Sequence, residues 1–200
     1  MTTSTSPLKY AIALSGGIAS GKSTALIIFK EQGFECIDAD KIAHQLLNQN
    51  TDYVIKHWGE DFVHDDGSVN RPKLGQLIFN NPSEKKALED FLHPLIRSEI
   101  YHQAEKLEQK KKRYFIDIPL FFETNQYNIP QSVLIYAPQS IQKKRLMARS
   151  QLSEKDAINR LQNQMDIEEK KTKATFVIDN SGSTETLEKN CKLFLKAIKF

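Results

Sequence analysis

The sequence predicts an α/β protein, a three-layer fold with a parallel sheet between helices. Three observations predict it. Strand-like apolar runs recur along the 200-residue chain with helical periodicity between them. The first run leads into a glycine-rich turn that opens a helix. Two intervals between runs are far too long for a simple crossover, and they read as helical additions to one core.

The first strand is expected around Ile12, in Tyr10-Ala11-Ile12-Ala13-Leu14. Gly16-Gly17-Ile18-Ala19-Ser20-Gly21-Lys22-Ser23 follows and fits G-x-x-x-x-G-K-[ST], the phosphate-cradling P-loop. Thr24 to Lys30 continues as a helix, which completes the strand–loop–helix context the motif requires. Glycines let successive N–H groups turn inward. The helix start adds unpaired N–H groups and the positive end of its dipole. Gly17, Ile18, Ala19, Ser20, Gly21, Lys22, Ser23 and Thr24 are therefore the expected triphosphate-binding residues. Lys22 brings a mobile charge to the β- and γ-phosphates, with a catalytic role, and the Ser23 hydroxyl is placed to ligate Mg²⁺. Leu14-Ser15-Gly16-Gly17 also resembles the start of an ABC-transporter signature, but it overlaps the P-loop and is no separate site.

The second strand, Phe34 to Ile37, ends in Asp38-Ala39-Asp40. Carboxyl ends of strands line the ligand crevice of an open α/β sheet. A carboxylate there accepts the proton of an attacking hydroxyl, and Asp40 is the candidate base; a water-activating ATPase uses the same kind of group, so this Asp alone does not decide. An Asp at a strand–helix junction also caps helices, so one of Asp38 and Asp40 is free to cap while the other does chemistry. The third strand is Tyr114 to Ile118, where Asp117 either holds substrate or a metal-bound water, or makes a structural turn. Val133 to Tyr136 and Phe176 to Ile178 complete the sheet, and the spatial order of its strands stays open.

The interval from Asp38 to Arg113 holds several helical stretches, the Asp65-Asp66-Gly67 turn and breaks at Pro72, Pro82 and Pro94. Ahead of Pro94, His93 is biased away from helical geometry; it either contacts substrate or marks a helix start. Arg97, one turn on, is suited to a substrate phosphate. Glu105 to Arg113 is read as a solvated helix end. The interval from Ala137 to Ala174 begins at Pro138 and carries Lys143, Lys144, Arg145, Arg149 and Arg160. A basic helical insertion before the last strand reads as a lid. Arg145 and Arg149, four apart, share one helix face and are suited to a catalytic role on the triphosphate, the alternative being a solvated face. Lys143 and Lys144 are read as solvated. The expected division is core 8–40, 113–137 and 174–200, a helical insertion over about 41–112 and a lid over about 138–173.

Exclusions narrow the function. No N-K-x-D guanine-reading motif is present, and Phe115-Ile116-Asp117 is followed by Ile118 rather than Glu. A small-molecule kinase remains. A net charge of +3 is too mild to argue for nucleic acid and suits an anionic substrate. Cys36 and Cys191 form no C-x-x-C pair and are expected to be free thiols. Met1 to Pro7 is a Ser/Thr tail without an apolar core, so no signal peptide is expected, and no stretch approaches a membrane span. A cytoplasmic protein is expected; a monomer is the first expectation and an oligomer the alternative, which composition does not decide.

Six motifs in order resemble those of the dephospho-CoA kinases, over Tyr10 to about Gly182. They are Leu14 to Thr24, Ile37-Asp38-Ala39-Asp40, Leu92-His93-Pro94-Leu95-Ile96, Asp117-Ile118-Pro119-Leu120-Phe121-Phe122-Glu123, Gln142 to Arg149, and Val177-Ile178-Asp179-Asn180-Ser181-Gly182. The resemblance implies a nucleoside-monophosphate-kinase-like version of the fold, a CoA-binding role for the helical insertion, and a lid. It implies transfer of phosphate from ATP to the ribose 3′-hydroxyl of dephospho-CoA, giving CoA and ADP, with Asp40 as base. On this reading Asp38, His93, Arg97 and Asp117 are the candidates for the substrate side, with Glu123 a weaker one. It gives Asn180 an adenine contact, the alternative being an Asx turn over Asn180-Ser181-Gly182. Ala19 departs from the family pattern, which has a third glycine there; a positive φ at that position makes Ala costly. A nucleoside or nucleotide kinase of the same fold and a non-catalytic nucleotide-binding regulator are the alternatives.

Overall fold

The computed structural model describes residues 8–124 and 126–198; the tail expected over Met1 to Pro7 lies outside them. Five strands form one parallel sheet: β1 Ala11–Gly16, β2 Cys36–Asp38, β3 Tyr114–Asp117, β4 Ser132–Tyr136 and β5 Phe176–Asp179. Their spatial order is β2-β3-β1-β4-β5. Every residue of β1, β3 and β4 is buried, as strands covered by helices on both faces must be. Register sets Leu14 of β1 opposite Asp117 of β3 on one side and Val133 of β4 on the other. The central strand thus runs straight into the glycine loop.

Helix α1 spans Lys22–Glu31. It ends in a Schellman turn: Gly33 has φ +83°, its N–H donates to Lys30 O, and Phe34 N–H donates to Phe29 O. This turn uses Phe34, so β2 begins at Cys36, two residues later than the apolar pattern predicts. One core layer joins Ile12 and Leu14 to Phe29, Phe115, Val133, Ile135 and, from α10 (Thr184–Ala197), Leu187, Cys191 and Leu195. Phe29 stacks on Phe115 with centroids 4.4 Å apart. Leu134 and Tyr136, whose side chains alternate to the opposite face, pack with Ile167.

The chain divides into two compact units, one containing residues up to Ile37 and from Ala104 onward, the other Asp38–Gln103. Residues 138–173 belong to the first. They fold as α7 Gln139–Ser150, α8 Glu154–Gln162 and α9 Ile167–Lys173, following the short α6 Phe121–Thr124. Leu146, Ala157 and Leu161 form a small core against Ile18 and Ala19 of the loop.

The second unit contains α2 Ala39–Gln49, α3 Thr51–Trp58, α4 Arg71–Asn80 and most of α5 Pro82–Glu108. Leu47, Val54, Leu74, Leu88 and Leu92 make its core, with Tyr53 stacked on Phe91 at 3.6 Å. The 65–67 turn is present, with Gly67 at φ +80° and Asp66 Oδ1 accepting from Ser68 N–H. The prolines behave differently from the expected breaks. Pro72 and Pro82 lie in the first turns of α4 and α5, where the missing N–H costs nothing. Pro94 lies inside α5, so His93 is helical and no break occurs. The ring forfeits one bond, to the carbonyl of Asp90, while buried Leu88, Leu92 and Ile100 hold the helix on both sides of it. Among the described residues no helix is long and apolar enough to cross a membrane.

Candidate active site

The loop between β1 and α1 turns twice through the left-handed region. Gly21, the N-cap of α1, has φ +93°, and Ala19 has φ +58°. The position where glycine is expected therefore does need positive φ, and an alanine occupies it. Lys22 is ion-paired with Asp117, whose strand lies beside β1; both side chains are largely buried. Ser23 and Thr24, in the first turn of α1, are exposed. Ser20 is fully buried, and its Oγ has no hydrogen-bond partner among the described residues.

Four side chains from the second half of the chain surround the loop. Asn180, 5% exposed, donates its backbone N–H to Tyr136 O and its Nδ2 to Ser20 O, both at 2.7 Å. Its amide fills the space that a Cβ on Gly21 would take. The Asx turn belongs instead to Asp179, whose Oδ1 accepts from Ser181 N–H at 2.7 Å. The Nδ2 of Asn180 is thus engaged with the loop. Gln164 Oε1 accepts from Ile18 N–H at 3.1 Å. Gln142, 2% exposed, donates Nε2 to Ala137 O at 2.7 Å, and its carboxamide lies where a Cβ on Gly17 would clash. Lys170 is fully buried, paired with Glu123 Oε1 at 2.7 Å and reaching toward Gly16 O at 3.5 Å. Glu123 Oε1 also accepts from Met165 N–H at 3.2 Å.

Of the basic residues on α7, Arg145 donates Nη2 to Gly182 O at 3.2 Å, Arg149 and Lys144 are exposed, and Lys143 pairs with Glu154 at 2.5 Å. The first unit therefore brings together the loop, Lys22, Asp117 and Asn180. The remaining predicted residues belong to the second unit. Asp38 caps α2, its Oδ1 accepting from Lys41 N–H at 2.9 Å. Asp40, in the first turn of α2, is exposed. Of the two carboxylates, the nearer to the strand takes the cap and leaves the other unspent. His93 and Arg97 are half-buried and one turn apart on α5. Sequence reasoning missed Gln142, Gln164 and Lys170 as supports of the loop. The only signal available was that a Gln and a Lys sit in otherwise core-facing positions of amphipathic helices.

Comparison with known proteins specifies the family. The family model described as Dephospho-CoA kinase matches residues 10–186. The chain is 48% identical over 191 residues to a dephospho-CoA kinase of Sulfurimonas denitrificans, covering 96% of this chain and 95% of that protein. It is 47% identical over 194 residues to one of Helicobacter pylori strain J99, covering 96% and 98%. Among solved structures, the dephospho-CoA kinase from Campylobacter jejuni superposes with a TM-score of 0.74 at 37% identity, covering 96% of this chain and 98% of that one. Protein TT1252 from Thermus thermophilus superposes with a TM-score of 0.78 at 33% identity, covering 96% and 99%. With the glycine loop, its lysine and both flanking elements inside the matched span, the chain belongs to the dephospho-CoA kinase family.

Proposed function

We propose that the chain transfers the γ-phosphoryl group of ATP to the ribose 3′-hydroxyl of dephospho-CoA, releasing CoA and ADP. The observation that carries this reading is a loop of P-loop sequence, folded between β1 and α1 with Ala19 and Gly21 at positive φ, inside a family match that spans residues 10–186. The loop N–H groups and the N-terminus of α1 bind the phosphates. Lys22 leaves Asp117 for the β- and γ-oxygens as the nucleotide enters. Asp40, exposed and not used as a cap, takes the proton of the 3′-hydroxyl as its oxygen bonds to the γ-phosphorus and the bond to the β-phosphate oxygen breaks. The exposed Ser23 hydroxyl, one residue beyond Lys22, fits a role in holding Mg²⁺. Bound there, Mg²⁺ would neutralise charge on the β- and γ-oxygens. Residues 138–173 act as the lid, with Arg145 and Arg149 adding charge over the triphosphate, and the helical unit takes dephospho-CoA through His93 and Arg97. Exclusion of water is what such a lid contributes.

A coupled assay of ADP release tests the acceptor. Dephospho-CoA should drive turnover, and nucleosides and nucleoside monophosphates should not; turnover with a nucleoside alone would overturn the assignment. Asp40→Asn should lower kcat by about 10²- to 10⁴-fold while leaving the dissociation constant of ADP unchanged. Full activity in that variant would remove Asp40 from the role of base.

A further inference from the structure

Ala19 holds a left-handed conformation that alanine disfavours, at φ +58°. Such a residue persists only where its surroundings over-determine it. Its two neighbours are both held from outside the loop. On one side Ile18 N–H is bound by Gln164 Oε1 at 3.1 Å, and on the other Ser20 O is bound by Asn180 Nδ2 at 2.7 Å. The two partners are 146 and 160 residues away in sequence, Gln164 between α8 and α9 and Asn180 directly after β5. Each is fixed in its turn. Asn180 is anchored by its own N–H to Tyr136 O. Beside Gln164, the N–H of Met165 donates to Glu123, which the buried Lys170 holds.

We propose that Gln164 and Asn180 are positioning residues of the nucleotide site, a clamp on Ile18 and Ser20 that forces Ala19 into the left-handed geometry the phosphate cradle needs. Free of the clamp, alanine at 19 returns to the right-handed or extended regions, and the N–H groups around it turn away from the phosphates. A glycine at 19 reaches positive φ without steric cost and depends on the clamp far less. The 138–173 segment, which carries Gln164, therefore sets the shape of the loop before any nucleotide arrives. The inference rests on the ATP-dependent reading above.

Non-additivity is the test. The full-length protein is prepared with Gln164→Met and with Ala19→Gly, singly and together, and the dissociation constant of ADP is measured by titration calorimetry. Gln164→Met alone should weaken ADP about five- to tenfold and raise KM for ATP by a similar factor, with KM for dephospho-CoA unchanged. In the Ala19→Gly background the same substitution should cost less than about twofold. An equal loss in both backgrounds, or no loss in either, overturns the proposal. Gln164 is only half-buried, and Gln164→Ala serves as a second probe should the methionine variant melt early. ADP binding requires no turnover, so failure of the clamp is distinct from failure of the kinase reading, which would appear as wild-type protein inactive toward dephospho-CoA.

Discussion

Gly21 shows how tightly single residues are constrained around the loop. Its φ of +93° suits glycine, and the Asn180 amide occupies the place of a Cβ. Gly21→Ala is expected to destabilise the protein by about 1–3 kcal/mol, the range for a strained backbone position, and to weaken ADP binding at least tenfold. Thermal melts and calorimetry check both effects. Cys191 provides a second prediction at this scale. It is fully buried, and burial pushes its thiol up to about 11. Cys36, half-exposed, should be alkylated at pH 8 while Cys191 stays protected until the protein unfolds; equal labelling of both would contradict its place in the core. The legibility of residues follows the same division. Gly16 to Ser23 were readable because their chemistry is local. Gln142, Gln164, Lys170 and the bond from Asn180 to Ser20 were not, because a side chain that braces a distant loop leaves in its own neighbourhood no more than a polar residue at a core-facing position.

At the scale of elements, periodicity located all five strands to within about two residues, since a buried parallel strand is a short apolar run wherever it stands. Ends were less legible: the Schellman turn at Gly33 takes Phe34 out of β2. Strand order was not legible, since the β2-β3-β1-β4-β5 arrangement depends on pairings between distant segments. Pro94 misled because tertiary packing outweighs a local preference in a 27-residue helix with buried flanks. Pro94→Ala restores a donor for the Asp90 carbonyl and should raise stability by about 1 kcal/mol. That lies below the ~3 kcal/mol cost of an interior proline because the unfolded chain gains freedom. A fall in the urea midpoint would mean the ring itself is needed for packing. In α7, Leu146 is 1% exposed and anchors the small core against Ile18 and Ala19. Leu146→Ala should cost about 2–5 kcal/mol and weaken nucleotide binding as well, because the loop packs on the same cluster.

The whole molecule responds to pH through its buried acids. Hydrogen bonding to Glu168 pushes the Tyr136 hydroxyl up to about 12, and burial holds Cys191 at about 11. Between the ordinary values of these groups and the raised ones, the folded protein keeps protons the unfolded chain has lost. Their contribution is complete below about pH 8.5, the ordinary thiol value, and declines as pH rises toward 11 and 12. The urea midpoint should therefore fall between pH 8.5 and about 10.5, and Cys191→Ala should flatten part of that fall; a rising midpoint would contradict it. Division into a sheet-bearing unit and a helical unit places Lys22, Asp117 and Asn180 in one, and Asp40, His93 and Arg97 in the other. Amide exchange over 138–173 should slow with ATP and dephospho-CoA together more than with either alone; equal rates would remove the lid role. The most direct measurement is phosphorus-31 NMR of the reaction of purified protein with ATP, Mg²⁺ and dephospho-CoA. The account predicts a new phosphomonoester resonance on the ribose 3′-oxygen, growing in step with ADP. Release of inorganic phosphate alone, or a phosphoryl group on any other acceptor atom, would contradict it.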